Sequence, residues 1–325
     1  MKLGIMGSGK IVEEFLSIVD QIEHIEVVSL LGTPRSQEKL GKLAQTYNIE
    51  QIYTDRQAFL ADDNYDTAYV AVPNHLHYEF AKAALEAGKH VICEKPFTLN
   101  LAQLEELVAL SQAKGRILIE AITTLYLGNY QKIRESLADL GPVRIVSCNY
   151  SQYSSRYDAF KAGTILPAFD PEKGGGALMD LNIYNIHFVL GLFGRPKGVH
   201  YSATIQTGID TSGILFLDYG DFKVSCIAAK DCAGPIRSSI QAENGAIEVV
   251  GATNTLPELN IQLGNKQTEK IQANQYNHRM VAEFKEFCRI IDQNDQEVAR
   301  EQIAHSLLVM EILEAAQQSA QLELG

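Results

Sequence analysis

The sequence predicts an α/β protein whose first third is a doubly wound parallel sheet, followed by a second domain. Three observations predict it. Short apolar runs alternate with stretches of helical periodicity along the first 121 residues. A Gly7-Ser8-Gly9 turn stands at the first strand–helix junction. The length of 325 residues exceeds what one small core organises.

Each element follows from local pattern. Residues 3–6 form a short apolar strand, and behind the glycine turn Ile11, Val12, Phe15, Leu16 and Val19 recur at helical spacing. Residues 25–31 read as a second strand. A helix over about 37–47 then places Leu40, Leu43, Ala44 and Tyr47 on one face. The strand at 67–72 stops at Pro73, and a helix over 78–87 is closed by Gly88, a usual terminator. Residues 90–93 are strand, 101–113 helix and 117–121 strand. Strands alternating with helices of this length imply a parallel sheet covered on both faces. Further on, residues 143–150, 203–206, 214–218, 223–228, 239–242 and 246–250 read as strands. The hairpin signals Asp218-Tyr219-Gly220-Asp221 and Glu243-Asn244-Gly245 separate some of them. Helical spacing returns from about His278, through Met280, Phe284 and Phe287 and then Leu307, Met310 and Leu313.

Composition narrows the partners. The formal charge of -12 disfavours nucleic acid and anionic membrane, which call for a basic patch. No apolar run reaches the ~18–20 residues of a membrane span, and the first residues lack the pattern of a signal peptide. Five scattered cysteines with no CxxC pair fit a reduced, cytoplasmic protein. His75 and His77 have the spacing of a metal pair but no third ligand near them, so no metal is expected.

The glycine turn suits a dinucleotide. Gly7 and Gly9 permit a tight turn and close approach of backbone to a pyrophosphate, with Lys10 and Ile11 opening the helix behind it. Val12 stands where the third glycine of G-x-G-x-x-G belongs, and a GxG turn also serves plain chain reversal; its place at the first junction favours cofactor binding. After the second strand no acid precedes Glu38. Thr33, Arg35 and Ser36 suit a 2′-phosphate, which points to NADP with NAD as the alternative; an exposed loop arginine is the plain reading of Arg35.

Two further stretches carry chemistry. In "HVICEKPF" a strand ends in Glu94-Lys95-Pro96, placing Lys95 at the edge where such sheets bind ligands; a surface lysine at a strand end is the equal plain reading of the residues alone. Glu94, its neighbour in an extended segment, points the other way. In "GGGALMDLNIYNIHF" a glycine run opens a helix on which Asp180, Tyr184 and His187 share a face. An amphipathic helix with a polar solvent face has the same spacing.

These segments resemble the glucose–fructose oxidoreductase and inositol dehydrogenase-like family (Gfo/Idh/MocA). The match is carried by "VPNHLHYEFAKAALEAGKHVICEKPFTLN", "IEAITTLYLGNYQKIRESLADLGPVRIV" and "FDPEKGGGALMDLNIYNIHFVLGLFG", and covers essentially the whole chain. It looks closest to the dihydrodiol dehydrogenase-like branch, which has tyrosine where inositol dehydrogenases have histidine. The resemblance implies a Rossmann domain over 1–121 and, over 122–325, an α+β domain with a large, mostly antiparallel open sheet. The C-terminal helix would return to the first domain. It also implies NAD(P)-dependent oxidation of a sugar, polyol or cyclic diol, and a homodimer or homotetramer. A sensing regulatory protein of the same fold is the rival. Tyr184 would be the acid–base, Lys95 its cationic partner, and Asp180 an acceptor for substrate hydroxyls. A free phenol ionises near ~10, and a lysine cation beside it favours the anion. Pro73, Asn74, His77 and Glu94 would line the cofactor cleft, and the Lys95–Pro96 bond would be cis. The tyrosine-rich stretch at 149–161, with Tyr153 and Arg156, suits stacking and hydrogen bonding to a sugar and equally an exposed loop or a subunit contact. His187 would bind substrate or carry a proton, although packing is the favoured reading of that histidine. Leu125 and Pro167 stand where branch members often carry arginine, which argues against a substrate carboxylate there.

Overall fold

A computed structural model describes residues 1–322 of the chain. The chain divides into two compact units, Met1–Ala121 with Met280–Leu307, and Ile122–Arg279 with the residues from Leu308 onward.

The first unit runs β1 (Lys2–Met6), α1 (Lys10–Leu16), β2 (Glu26–Leu31), α2 (Gln37–Tyr47), β3 (Gln51–Tyr53), α3 (Arg56–Leu60), β4 (Thr67–Val70), α4 (His77–Glu86), β5 (His90–Glu94), α5 (Leu101–Lys114) and β6 (Leu118–Ala121). Its six strands are parallel in the order β3-β2-β1-β4-β5-β6. That is the doubly wound arrangement, with the order reversing between β1 and β4. The central strands are buried on both faces, as Ile5, Met6, Tyr69, Val70, Val91 and Ile92 show. Such burial accounts for their unbroken apolar runs. Local chemistry sets the helix limits: Asn100 caps α5 by accepting from the Gln103 amide at 3.0 Å, and Gly115 closes it in the left-handed region.

The second unit contains α6 (Gly128–Leu140), β7 (Val143–Ser151), α7 (Tyr157–Lys161), α8 (Ile183–Phe193) and seven further strands: β8 (Gly198–Gln206), β9 (Ile209–Asp218), β10 (Lys223–Ala229), β11 (Arg237–Ala242), β12 (Gly245–Val250), β13 (Leu259–Leu263) and β14 (Glu269–Ile271). The eight strands form one sheet in the order β14-β13-β12-β11-β7-β10-β9-β8, with β7 and β10 parallel and the other neighbours antiparallel. Thr207 (φ 51°) and Gly208 (φ 81°) turn β8 into β9, and both are left-handed, as the twist of a two-residue hairpin requires. Helix α8 lies on one face, clamped by side-chain amides: Asn182 donates to the Cys226 carbonyl at 3.0 Å and Asn185 to that of Ile227 at 3.2 Å. The buried row beneath includes Val146, Cys148, Leu215, Val224 and Cys226, while Ile145, Ile214 and Phe216 project, exposed, from the opposite face.

Two helices end the chain, α9 (Arg279–Asp292) and α10 (Gln296–Ser319). In the first unit the Phe284 ring packs on Phe15 and Tyr69 at 4.4 and 5.2 Å, and the Ser306 hydroxyl meets Glu120 at 2.6 Å. In the second, the Ser319 hydroxyl accepts from the Tyr201 amide at 2.8 Å.

Several elements differ from expectation. The short or polar strands β3, β13 and β14 were not anticipated, and β8 starts at Gly198, five residues before the run at 203–206. The glycine-led helix begins with a π turn, Leu178–Asn182, before α8. The stretch Pro171–Phe193 is apolar enough to cross a membrane by composition, but it is 72% buried inside the protein, as a core helix is. Among the described residues all five cysteines are free thiols, and no group of three or more His, Cys, Asp or Glu is placed to hold a metal.

Candidate active site

In the first unit the predicted cofactor residues follow the C-terminal ends of four adjacent strands. Gly7 and Gly9 come after β1, Thr33 and Arg35 after β2, Pro73 and Asn74 after β4, and Glu94 and Lys95 at the end of β5. This is the edge of a parallel sheet where ligands bind, centred on the β1/β4 reversal. Gly7 is obligatory there: its φ is 126°, and a Cβ would lie 2.3 Å from the Ala71 carbonyl oxygen. Gly9 serves differently. It is the extended N-cap of α1, offers no side-chain cap to the first-turn amides, and a Cβ on it would meet open space. First-turn amides with no side-chain cap, beside a glycine that leaves room for a ligand's approach, fit a dinucleotide pyrophosphate. Val12, at the third-glycine place, is fully buried in the core.

The loop after β2 is self-braced. The Ser36 hydroxyl accepts from the Thr33 amide and donates to the Thr33 carbonyl, both at 2.8 Å, so Ser36 serves the loop and Arg35 stands exposed as its cation. Glu38 pairs with Lys42 at 2.6 Å along α2, which occupies the first acid after β2.

Around β5 the roles separate. The buried Tyr69 hydroxyl donates to the Glu94 carboxylate, while Lys95 is half-buried at the strand's exit, followed by a cis bond to Pro96. The His77 ring is buried, with Nδ1 2.7 Å from the Pro96 carbonyl and Nε2 2.9 Å from that of Val72. Its polar atoms tie the β4 exit to the β5 exit. Burial pushes the ring toward its neutral form against the pull of both carbonyls, and the Lys95 charge adds to the push. A neutral ring has one N–H and donates to one carbonyl at a time.

In the second unit the glycine run is packed, not open. A Cβ on Gly175 would lie 2.8 Å from the Pro167 carbonyl oxygen, and one on Gly176 (φ 100°) would lie 2.1 Å from Asp210 Oδ1. Asp210 Oδ2 accepts from the Leu178 amide and from the Tyr201 hydroxyl, both at 2.7 Å. It therefore pins the start of the π turn to β9. Burial pushes the Asp210 carboxyl up to about 6, while its hydrogen bonds and Lys230 pull it back. Asp180, inside the π turn, is 35% exposed, and its Oδ2 lies 2.8 Å from Lys230 Nζ. Tyr184 is 8% exposed, with its ring centroid 6.2 Å from that of Tyr150. His187 is fully buried.

The tyrosine-rich stretch is largely consumed by packing. Tyr157 and Phe160, three apart on α7, join Phe169 and Ile209 in a small apolar cluster. Tyr153 remains exposed, its hydroxyl 2.7 Å from Asp158 and 3.0 Å from Lys161, and Arg156 is exposed beside it. Lys230 and Asp210 were missed by sequence reasoning. The signal for Lys230 was present in "VSCIAAK", an apolar strand delivering a lysine at its end, as "HVICEK" does.

Known proteins match this architecture along its length. The scyllo-inositol 2-dehydrogenase (NADP(+)) IolU of Bacillus subtilis is 34% identical over 97% of this chain and 96% of its own. The trans-1,2-dihydrobenzene-1,2-diol dehydrogenase of Xenopus tropicalis is 29% identical over 76% of this chain and 74% of its own. Among solved structures, the aldose-aldose oxidoreductase of Caulobacter crescentus superposes with a TM-score of 0.86 at 22% identity, covering 99% of this chain and 97% of that one. Residues 1–122 match the oxidoreductase family with NAD-binding Rossmann fold, and residues 130–252 match the Gfo/Idh/MocA C-terminal domain. With a doubly wound sheet carrying the glycine turn in one unit and an eight-stranded, mostly antiparallel sheet in the other, the chain belongs to the Gfo/Idh/MocA family of oxidoreductases.

Proposed function

We propose that this protein is an NADP-dependent dehydrogenase that oxidises a secondary alcohol of a sugar, polyol or cyclic diol, or reduces the matching ketone. The observation that carries the reading is a phenol and a carboxylate four residues apart, Tyr184 and Asp180, on the helical segment led by the glycine run. A vicinal diol presents two hydroxyls, and these two groups divide the work. Tyr184 takes the proton of the reacting hydroxyl, or returns it in reduction, and Asp180 accepts a hydrogen bond from the neighbouring hydroxyl. Lys95 supports the reacting oxygen from the first unit. Scyllo-inositol, dihydrobenzenediol and xylose, named for relatives of this chain, all carry hydroxyls on adjacent ring carbons.

The residues after β1 and β2 fit the cofactor. The α1 amides behind Gly9 would hold the pyrophosphate, and Thr33 with Arg35 would hold the 2′-phosphate of NADP. When bound, the nicotinamide supplies the hydride acceptor or donor at its C4. The exposed Ile145, Ile205, Ile214 and Phe216 of the eight-stranded sheet support assembly as a homodimer or homotetramer, which light scattering would measure.

The test is turnover of scyllo-inositol, trans-1,2-dihydrobenzene-1,2-diol and D-xylose with NADP and with NAD. Tyr184→Phe should lower kcat by about 10²–10⁴-fold, the usual contribution of a general acid–base, with NADPH affinity kept. A near-normal rate would pass the role to His187 or a water. Tight NADPH binding with no turnover of any of the three would favour a sensing regulatory protein.

A further inference from the structure

We propose that Lys230 is the positioning residue of Asp180, a buried cation that fixes the carboxylate in the orientation in which it receives a substrate hydroxyl. The inference rests on the reading of Asp180 as a substrate-binding group.

Lys230 directly follows β10, and its backbone is held from two sides, by β9 and by the loop after β7. Its amide donates to the Thr211 carbonyl at 2.8 Å, and its carbonyl accepts from the Ser154 amide at 2.8 Å. The side chain then runs inward. Its Nζ meets Asp180 Oδ2 at 2.8 Å and the Ala168 carbonyl at 2.5 Å, and stands 4.8 Å over the Phe169 ring. The ammonium thus has a carboxylate, a carbonyl and an aromatic face around it, which is how a desolvated cation is tolerated.

Burial distinguishes a positioning role from a plain structural ion pair. A structural pair withdraws both partners from water. Here the Lys230 side chain is 2% exposed and that of Asp180 is 35% exposed. The cation sits behind, and the carboxylate is turned outward. The chain around Asp180 is shaped to the same end. The π turn at Leu178–Asn182 re-aims the side chains of that turn relative to α8, and π bulges occur often at functional sites. Asp210 anchors the start of that turn through the Leu178 amide, and the Lys230 charge also acts on Asp210. The buried cation therefore holds Asp180 directly, while Asp210, from β9, fixes the start of the turn that carries it.

The test is a double-mutant cycle on the full-length enzyme, using whichever of scyllo-inositol, D-xylose and trans-1,2-dihydrobenzene-1,2-diol it oxidises best with NADP. Lys230→Met should lower kcat/KM by roughly 10–100-fold, the scale of a mispositioned reacting group, with NADPH affinity kept. Made in an Asp180→Asn background, the same change should cost less than about 3-fold more, because its route to the substrate is already gone. A structural role would instead give losses that multiply. Unchanged kcat/KM in Lys230→Met, or fully multiplicative losses, would overturn the inference. Lys230→Gln, which keeps a donor for the Ala168 carbonyl, carries the same comparison if the methionine variant does not fold. Normal activity in Asp180→Asn alone would remove the underlying reading instead, so the two failures are told apart.

Discussion

Gly176 and Asp210 are fitted to each other so closely that a single methyl group separates accommodation from collision. A Cβ on Gly176 would stand 2.1 Å from Asp210 Oδ1, and the residue's φ of 100° lies where L side chains are strained. Asp210 cannot retreat without releasing the Leu178 amide and the Tyr201 hydroxyl. Gly176→Ala should therefore combine left-handed strain of ~1–2 kcal/mol with overpacking of ~1–3 kcal/mol. Gly163, also left-handed (φ 85°) but with nothing within 4 Å of a Cβ, isolates the first of these. In chemical denaturation Gly176→Ala should lose at least twice the stability lost by Gly163→Ala. Equal losses would mean that the Asp210 contact is soft.

The same aspartate sets a pH dependence. Burial raises the Asp210 carboxyl to about 6, against an unfolded value near 3.8. Between those values the folded chain holds a proton that the unfolded chain has released. Its contribution to stability is therefore full at the acid end and is lost as pH rises through 6. Two units correspond to about 3 kcal/mol. His77 acts in the opposite sense over an overlapping range, because burial lowers its pKa and the unfolded chain takes up the proton first. The wild-type profile alone thus mixes the two. The stability of wild type minus that of Asp210→Asn should fall by about 2 kcal/mol from pH 4 to pH 7. A flat difference would show that Asp210 ionises normally.

His77 joins two strand exits through carbonyl oxygens, and the second belongs to Pro96, next to Lys95. Replacing the ring by phenylalanine fills the space but removes the one N–H that the Val72 and Pro96 carbonyls share. His77→Phe should cost about 1–3 kcal/mol, and turnover should fall with NADPH affinity kept. Retained turnover with lost stability would separate His77 from the placement of Lys95.

The first unit was legible because β1, β2, β4, β5 and β6 are apolar runs alternating with helices of 3.6 period, and parallel strands buried on both faces leave no other pattern. What escaped was short or edge-bound. β3 has three residues, and β14 is a polar edge strand with no apolar alternation to read. At the site, Lys95, Asp180 and Tyr184 were singled out by strand-end position, helical spacing and resemblance. Lys230, Asp210 and Tyr201 were not, because a buried polar network is defined by partners distant in sequence. Leu178 and Asp210, for example, are 32 residues apart. Within the tyrosine-rich stretch the i, i+3 spacing of Tyr157 and Phe160 describes a short helix packing inward, while Tyr153 and Arg156 remain exposed.

The choice between the two nucleotides rests on Arg35. It is exposed at the exit of β2, while Ser36 is spent on bracing the loop and Glu38 is paired with Lys42. A 2′-phosphate placed there would gain a charge-assisted hydrogen bond from the guanidinium, whereas the ribose hydroxyl of NAD would find no carboxylate at the strand's end. Removing such a bond costs roughly 10–100-fold in affinity, taking ~1.5–3 kcal/mol for a hydrogen bond to a charged group. Arg35→Ala should therefore weaken NADPH by that factor and NADH by less than about 2-fold in fluorescence titrations. The NADPH effect should shrink at high salt, because the pair is solvent-exposed and screened. Equal weakening of both nucleotides would remove Arg35 from phosphate recognition and return it to an ordinary loop cation.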